Sequence, residues 1–216
     1  LAAGSLHRLQ DRARRDDVLH RALLPGRRGA NQAVDDGALL LAAVAAFLIS
    51  FVTHMVFKYH NSNYDKVPGE DQVMDALRPF NIPAGDYMFP ACADQKTRET
   101  KKYKARLAKG PVAIMTVYPN GDFAMGKTLV QWFIYCVLVS VFVGYVTRMT
   151  LAPGAEYLQV SRVASVVAFM GYGLALMQDS IWYNRKWSTT LKMTFDSLLY
   201  ALFTGGIFGW LWPTGM

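Results

Sequence analysis

Ionisable side chains collect near the ends of the apolar segments of this chain, and they are the residues that could do chemistry. Asp196 lies about five residues inside the last apolar segment, or roughly 7 Å along a helix at 1.5 Å per residue. A carboxylate at that depth should face protein or water and have a partner. Lys192 lies one helical turn earlier. The sequence therefore predicts a polar pocket at this end of the apolar segments, formed by His54, Lys127, Asp179, Lys192 and Asp196.

Two interpretations of this polar pocket stay open. In the first, the pocket serves a proton, an ion or a small ligand. In the second, the same side chains form a structural network that ties the helix ends to the segment above them. We prefer the second interpretation, because no nucleophile–base pair or complete ligand set is visible in the sequence.

The histidines and cysteines do not predict a cofactor. His54 and His60 are the only histidines after residue 36, and the other apolar segments contain none. Haem held between helices would need a second ligand on a facing helix. Cys92 and Cys136 lack the spacing of a zinc site. We therefore predict no catalytic residue, no cofactor and no metal, with His54 as a hydrogen-bonded packing residue.

Residues 121–128 read GDFAMGKT and satisfy the phosphate-loop pattern G-x-x-x-x-G-K-[ST]. A working phosphate loop joins a buried parallel strand to a helix in a nucleotide-binding domain, with a further acidic residue for magnesium. Here the following segment is apolar enough to cross a membrane, and no alternation of strands and helices surrounds it. We predict that no nucleotide binds, that Pro-Asn-Gly at 119–121 forms a hairpin turn, and that Lys127 lies at the level of the lipid headgroups.

Four apolar segments are long enough to cross a bilayer, for which roughly 20 residues suffice. The predicted fold class is an all-α membrane protein with four transmembrane helices and a small α+β extramembrane cap between the first two. The predicted helices cover residues 37–57, 128–147, 160–180 and 191–212, and the cap covers residues 58–127. Residues 1–36 form an Arg-rich tail without lysine. This tail is either a soluble extension or a translated segment upstream of the true start.

The cap has a recognisable pattern of short elements. PGEDQVMDALRPF predicts a short amphipathic helix, and AGDYMFP predicts a strand. ADQKTRETKKYKARLAKG predicts one charged helix that ends at Gly110. PVAIMTVYPNGDFAM predicts a second strand, which leads into the turn.

Charge and topology bear on location and partners. The formal charge of +7 suits contact with anionic lipid, and the sequence contains no nucleic-acid-binding module. Four spans place both termini on one side of the membrane. We predict a multi-pass membrane protein, with the termini in the cytoplasm and the cap outside.

Several stretches together resemble a family of small bacterial inner-membrane proteins without an assigned activity. The resemblance covers about residues 37–213 and rests on these segments: FVTHMVF, GEDQVMDALR, GDYMFP, GPVAIMTVYPNGDFAMGK, RMTLAPGAEYL and SIWYNRKWSTTLKMTFDSLLYALFTGGIFGWLWP. The resemblance implies a bacterial four-helix protein with a cap. It implies no cofactor and no catalytic residue.

Small residues recur at four-residue spacing in three of the apolar segments, as in Ala201, Gly205 and Gly209. Such stripes let helices approach closely, either within one chain or between chains. We predict a non-catalytic accessory or scaffold subunit of a larger bacterial membrane complex, in an energy-converting setting, with the bilayer and other membrane subunits as partners. The alternatives are a small ion, proton or solute transporter or channel that uses the pocket around Asp196, and a membrane enzyme.

Overall fold

The computed structural model describes residues 36–122 and 125–215, and its elements are mainly helices. The tail predicted for residues 1–36 lies outside the described residues, apart from Asp36. In chain order the elements are α1 (Asp36–Phe51), a π-helical turn (Val52–Val56), a 3₁₀ turn (Tyr59–Asn63), α2 (Glu70–Leu77), a 3₁₀ turn (Arg78–Phe80), β1 (Gly85–Phe89), α3 (Gln95–Glu99), α4 (Lys101–Lys109), β2 (Ala113–Val117), α5 (Met125–Thr150), α6 (Tyr157–Tyr172), a 3₁₀ turn (Leu174–Leu176), α7 (Met177–Tyr183) and α8 (Trp187–Trp210).

Three helical stretches are long and apolar enough to cross a membrane, which is compatible with a membrane protein. They cover Asp36–Val56, Met125–Thr150 and Tyr157–Tyr183. The fourth predicted span coincides with α8, which is 24 residues long but carries Lys192 and Asp196 in its first half. By length and composition, three helical stretches of the described residues are candidate spans, and the predicted fourth is not confirmed.

The four long helices α1, α5, α6 and α8 pack as a bundle, each against two neighbours. Going around the bundle, α1 contacts α5, α5 contacts α6, α6 contacts α8, and α8 contacts α1. Their inward faces combine alanines with larger side chains. The buried apolar core contains Ala42, Ala43, Ala46, Cys136, Val139, Val143, Val160, Ala164, Ala168, Tyr172, Tyr200, Ala201 and Phe208.

Glycines bring α6 and α8 into close contact. A Cβ atom added at Gly205 would lie 2.0 Å from Ser165 Oγ and 2.6 Å from the Ser161 carbonyl oxygen. At Gly209 it would lie 2.4 Å from Ser161 Oγ. The Ser161 hydroxyl donates a hydrogen bond of 3.0 Å to the Gly205 carbonyl. The small-residue stripe of α8 is thus used within the chain, which answers the question that the sequence left open.

The third span is not one continuous α-helix as predicted. The α-helix α6 ends at Tyr172, and a 3₁₀ turn leads into α7. At this point the Ser197 hydroxyl of α8 donates a 3.0 Å hydrogen bond to the Tyr172 carbonyl. A Cβ atom at Gly173 would lie only 2.7 Å from Ser197 Cβ. Close contact with α8 therefore replaces regular helix geometry here, and a pattern of apolar residues does not encode such a contact.

The cap contains the two predicted strands, but they pair differently from a hairpin. β1 and β2 are antiparallel, with Gly85 opposite Val117 and Phe89 opposite Ala113. The Pro-Asn-Gly sequence at 119–121 follows β2 and leads towards α5, so the predicted hairpin turn is wrong. A phosphate loop needs a parallel strand before it, whereas β2 is antiparallel; Phe123 and Ala124 of that motif lie outside the described residues.

The charged segment of the cap forms two helices instead of one. α3 begins after Asp94, whose carboxylate accepts a hydrogen bond of 2.6 Å from the Thr97 amide. Thr100 has extended backbone geometry, and its hydroxyl accepts a hydrogen bond from the Tyr103 amide at the start of α4. A threonine that caps a new helix ends the previous one, because its backbone dihedrals are not helical. α4 ends at Gly110, as predicted.

Candidate functional site

The site begins where α1 stops being a regular helix. The last turn of this helix, Val52–Val56, is π-helical. Lys58 then adopts left-handed backbone geometry (φ 54°), and the chain continues into the 3₁₀ turn Tyr59–Asn63. This turn packs on α8, where the Lys192 ammonium donates to the Tyr59 carbonyl at 2.9 Å and to Ser62 Oγ at 2.6 Å. Lys192 therefore fixes the turn above Asp196.

Asp196 is the buried carboxylate at the centre of this site, with 1% of its surface exposed. Both of its oxygens have partners from the 3₁₀ turn. The Tyr59 hydroxyl donates to Oδ1, and His60 Nε2 lies 2.6 Å from Oδ2. The partners that a buried carboxylate requires are thus provided by the segment that follows α1.

His60 connects Asp196 to two other side chains. Its ring stacks on that of His54, with centroids 4.1 Å apart and an angle of 8° between the planes. Its Nδ1 accepts a hydrogen bond of 2.9 Å from the Asn63 side-chain amide, so its Nε2 carries the proton that is donated to Asp196. The other atom of that amide, Asn63 Oδ1, is buried and has no hydrogen-bond partner.

His60 favours its neutral form. Burial lowers the pKa of His60 from 6.5 to about 4, and the nearby charges of His54 and Lys192 act in the same direction. Only 9% of its side chain is exposed. Desolvation is thus the main cause of the lowered pKa of His60, and the neutral ring agrees with the Asn63 amide donating to Nδ1.

His54 forms the outer edge of the site and is exposed. Its Nδ1 lies 3.0 Å from the Ser50 carbonyl oxygen and 3.1 Å from Thr53 Oγ1. Thr53 is buried, and its hydroxyl lies 3.4 Å from that of Tyr200 on α8. Because Nδ1 lies against the Ser50 carbonyl oxygen, Nε2 is the ring nitrogen of His54 that remains available for another contact.

Aromatic rings of three helices pack together near the residues that hold this site. Trp132 donates a hydrogen bond of 2.8 Å from its indole to Ser50 Oγ. The Tyr172 and Tyr200 rings meet edge to face with centroids 5.6 Å apart, and the Trp132 ring lies 6.0 Å from that of Tyr200. These rings link α1, α5, α6 and α8 next to Ser50 and Thr53.

Three of the five predicted pocket residues come together in this site, namely His54, Lys192 and Asp196. Asp179 instead forms an ion pair with Arg185, at 3.2 Å. Lys127 is exposed near the start of α5 and takes part in none of the hydrogen bonds given above. The side chains of α5 that do approach the site are aromatic.

Tyr59 and His60 are the site residues that we did not predict as pocket members. Helical spacing gives no sign that the chain folds back onto α8 after α1, which is what brings His60 to Asp196. The run KYHNSN, residues 58–63, directly follows an apolar helix and is rich in hydrogen-bonding groups. A run of hydrogen-bonding residues at the end of one apolar helix can supply the partners that a carboxylate in another apolar helix needs. That is the signal that could have located Tyr59 and His60.

The arrangement contains a possible set of metal ligands. One ligand atom from each of His54, His60 and Asp196 lies within 4.8 Å of the others. These are two imidazole nitrogens and a carboxylate oxygen, which all coordinate divalent transition metals.

Comparisons with known proteins give no assignment. Neither the family models, nor the curated proteins, nor the solved structures contain a match to this chain. The resemblance to a family of small bacterial inner-membrane proteins therefore stays a prediction. Function is inferred below from the residues of this chain alone.

Proposed function

We propose that this chain is a non-catalytic accessory or scaffold subunit of a larger bacterial membrane complex, in an energy-converting setting. The observation that supports the proposal is the surface of the cap. Of residues 58–122, only Pro90 and Tyr103 are buried. A region of this size that buries so little has apolar side chains left for a partner.

An exposed apolar face on α2 is the main support for this proposal. Val73 and Leu77 of α2 and Phe80 of the 3₁₀ turn that follows it recur at helical spacing, with 40%, 38% and 73% of their surfaces exposed. Met74 extends this face and is 50% exposed. Contiguous apolar surface outside the membrane-spanning helices marks interaction sites in soluble regions of proteins. We define these four residues as the α2 face and assign the partner contact to it.

The proposed membrane arrangement has α8 as a fourth span. A helix of 24 residues is about 36 Å long, which exceeds the roughly 30 Å of a bilayer core. Both charged residues of this helix have protein partners. Asp196 forms hydrogen bonds with Tyr59 and His60, and Lys192 donates to the backbone of the 3₁₀ turn. We place the chain in the bacterial inner membrane, with both termini in the cytoplasm and the cap outside.

The small-residue stripes of the bundle do not supply the partner contact. Ala42 and Ala46 are fully buried, and Gly205 and Gly209 face α6. The bundle therefore meets lipid or other subunits through larger side chains, as at Leu202, Phe203 and Trp210. This is a further reason to look for the specific contact on the α2 face.

Photo-cross-linking in native membranes tests the proposal. A photoreactive amino acid at Leu77 should give an adduct of one discrete mass with a different protein. The same group at Asp75, on the opposite side of α2, should not. Val73→Glu should abolish the adduct at Leu77, and the cross-linked protein should co-purify with the parent chain in mild detergent.

Three results would contradict this function. The first is labelling of lipid alone at Leu77, which would make the α2 face a membrane-contact surface. The second is an adduct between two copies of this chain. The third is migration as a lone chain in mild detergent, with no co-purifying protein.

A transporter or channel is a second candidate, favoured by one specific observation. Asp196 is an ionisable group almost fully buried within the bundle, and such residues often mark ion or proton pathways. Asp196→Asn keeps the size of the side chain and removes its charge. If this variant left proton or ion flux through reconstituted vesicles unchanged, the candidate would lose its main support.

A further inference from the structure

We propose that His54, His60 and Asp196 form a binding site for a first-row divalent transition-metal cation of the Zn²⁺ type. This site is independent of the accessory function, since it uses none of the residues of the α2 face. It joins a π-helical turn, a 3₁₀ turn and the middle of α8, so it cannot form until the bundle and the turn are folded.

The donor atoms lie close enough to share one ion. All three lie within 4.8 Å of one another, and the closest pair, His60 Nε2 and Asp196 Oδ2, is 2.6 Å apart. Ligand atoms arranged tetrahedrally around an ion at a bond length of about 2.1 Å are themselves about 3.4 Å apart. A cation would therefore replace the His60–Asp196 hydrogen bond, and these two atoms, now 2.6 Å apart, would separate by about 0.8 Å. The His54 ring would have to tilt out of its stack on His60, and its exposure leaves room for that movement.

The residues around the three ligands suit ligating histidines. A metal-binding histidine almost always donates its other ring N–H to a carbonyl, a carboxylate or water. His54 Nδ1 lies 3.0 Å from the Ser50 carbonyl oxygen, which leaves Nε2 as the nitrogen for the cation. The Tyr59 hydroxyl donates to the second carboxylate oxygen of Asp196, which orients that group.

Asn63 supplies the corresponding partner for His60. Its amide nitrogen now donates to His60 Nδ1, while its Oδ1 is buried without a partner. A half-turn of the amide would place Oδ1 as the acceptor for an Nδ1–H group. His60 would then change tautomer, and its Nε2 lone pair would be free for the cation. We assign Asn63 as the positioning residue that sets the tautomer of His60.

The donor types select the class of ion. Imidazole nitrogens suit Zn²⁺, Fe²⁺, Co²⁺, Ni²⁺ and Cu²⁺, whereas Mg²⁺ and Ca²⁺ prefer sets made only of oxygen atoms. Three protein ligands leave at least one coordination position for water or another small ligand. Because His54 is exposed, that position is expected on the outer side of the site.

A Co²⁺ titration of the full chain in detergent tests the site. The protein should carry no polyhistidine tag and should have His7→Ala and His20→Ala, so that His54 and His60 are its only histidines. After treatment with chelator, Co²⁺ should produce visible absorption bands that saturate at one ion per chain. Zn²⁺ should displace the Co²⁺, and an excess of Mg²⁺ should not.

His54→Gln is the decisive variant, because His54 is exposed and its replacement leaves the buried core intact. Loss of a direct ligand should weaken Co²⁺ binding by at least about 100-fold. Replacing a residue that only hydrogen-bonds to a ligand typically costs about 10–100-fold. Absence of a saturable signal in the parent would overturn the site. Equal Co²⁺ affinity in the parent and His54→Gln would also overturn it, as would equal competition by Mg²⁺.

A pair of Asn63 variants tests the positioning role. Asn63→Asp keeps an acceptor oxygen for His60 Nδ1–H and should bind Co²⁺ about as well as the parent. Asn63→Leu has no acceptor and should bind about tenfold more weakly. If the two variants bind Co²⁺ with equal affinity, the role assigned to Asn63 is wrong.

Discussion

At the scale of single residues, the site depends on contacts between positions far apart in the chain. The need of Asp196 for a partner was predictable, because a charge inside an apolar helix is costly without one. The identity of that partner was not, since Tyr59 and His60 lie 137 and 136 residues earlier in the sequence. Lys192 was found because it lies one helical turn from Asp196. Helical spacing locates neighbours on one helix and gives no information about another.

Tyr59→Phe tests the contribution of the hydroxyl to Asp196. The change should lower the free energy of unfolding by about 1–3 kcal/mol, because a buried acceptor loses its donor. Denaturation followed in detergent measures the effect. Tyr64→Phe is the matched control, since Tyr64 is 81% exposed and should tolerate the change without loss. Equal stability of both variants would mean that Asp196 does not depend on this hydrogen bond.

His60 should remain neutral well below the pH at which an exposed histidine gains a proton. Its pKa is about 4 in the folded chain, against an ordinary value of 6.5. This residue's contribution to the free energy of unfolding is therefore full above pH 6.5 and is lost as the pH falls towards 4. NMR titration of the ring, with His7 and His20 replaced by alanine, measures this pKa. A midpoint near 6.5 would contradict the burial that we describe.

At the scale of elements, the sequence predicted which segments form helices and strands better than where they break. The strands at Gly85–Phe89 and Ala113–Val117 and the short helix Glu70–Leu77 lie where local patterns placed them. The breaks at Thr100 and Gly173 were missed. A capping threonine can also sit within a helix, and Gly173 adapts to a serine on another helix. Both breaks reflect competition between the regular pattern and one specific contact.

Gly205→Ala should destabilise the contact between α6 and α8. The added Cβ would lie 2.0 Å from Ser165 Oγ and 2.6 Å from the Ser161 carbonyl, so the helices must separate. We expect a loss of about 1–3 kcal/mol in the free energy of unfolding, the usual range for overpacking. Gly206→Ala is the control on the same helix, where the nearest atom, the Tyr157 hydroxyl oxygen, is 3.5 Å away. That variant should be as stable as the parent or slightly more so, because alanine favours helix.

At the scale of the whole molecule, the bundle and the cap differ in how much they bury. Apolar content predicted the bundle, because long apolar segments can satisfy their backbone only as helices in lipid. The poor burial of the cap could not be predicted, since its strands and amphipathic helix resemble those of a domain with a core of its own. The apolar pattern of α2 correctly predicted an amphipathic helix. Its apolar side, however, is exposed among the described residues.

The side of the membrane reached by the C-terminus tests whether α8 crosses. With four spans, the cap and residue 214 lie on opposite sides; with three, they lie on the same side. Cys92 is a native, partly exposed reporter in the cap, and Cys136 is buried. A membrane-impermeant thiol reagent should label Cys92 from one face and a Thr214→Cys variant, with Cys92→Ser, from the other. Labelling of both from one face would exclude α8 as a span.

The π-helical turn at Val52–Val56 determines in which direction around the axis of α1 the following segment leaves the helix. A π-turn accommodates one residue more than an α-helical turn does, so it acts like a one-residue insertion in the helix. Deleting Met55 would restore the α-helical repeat and rotate the Tyr59–Asn63 turn by about 100° around the axis of α1. His60 would then point away from α8 although no residue of the site had changed. The length of this turn is thus as much a determinant of the site as its side chains are.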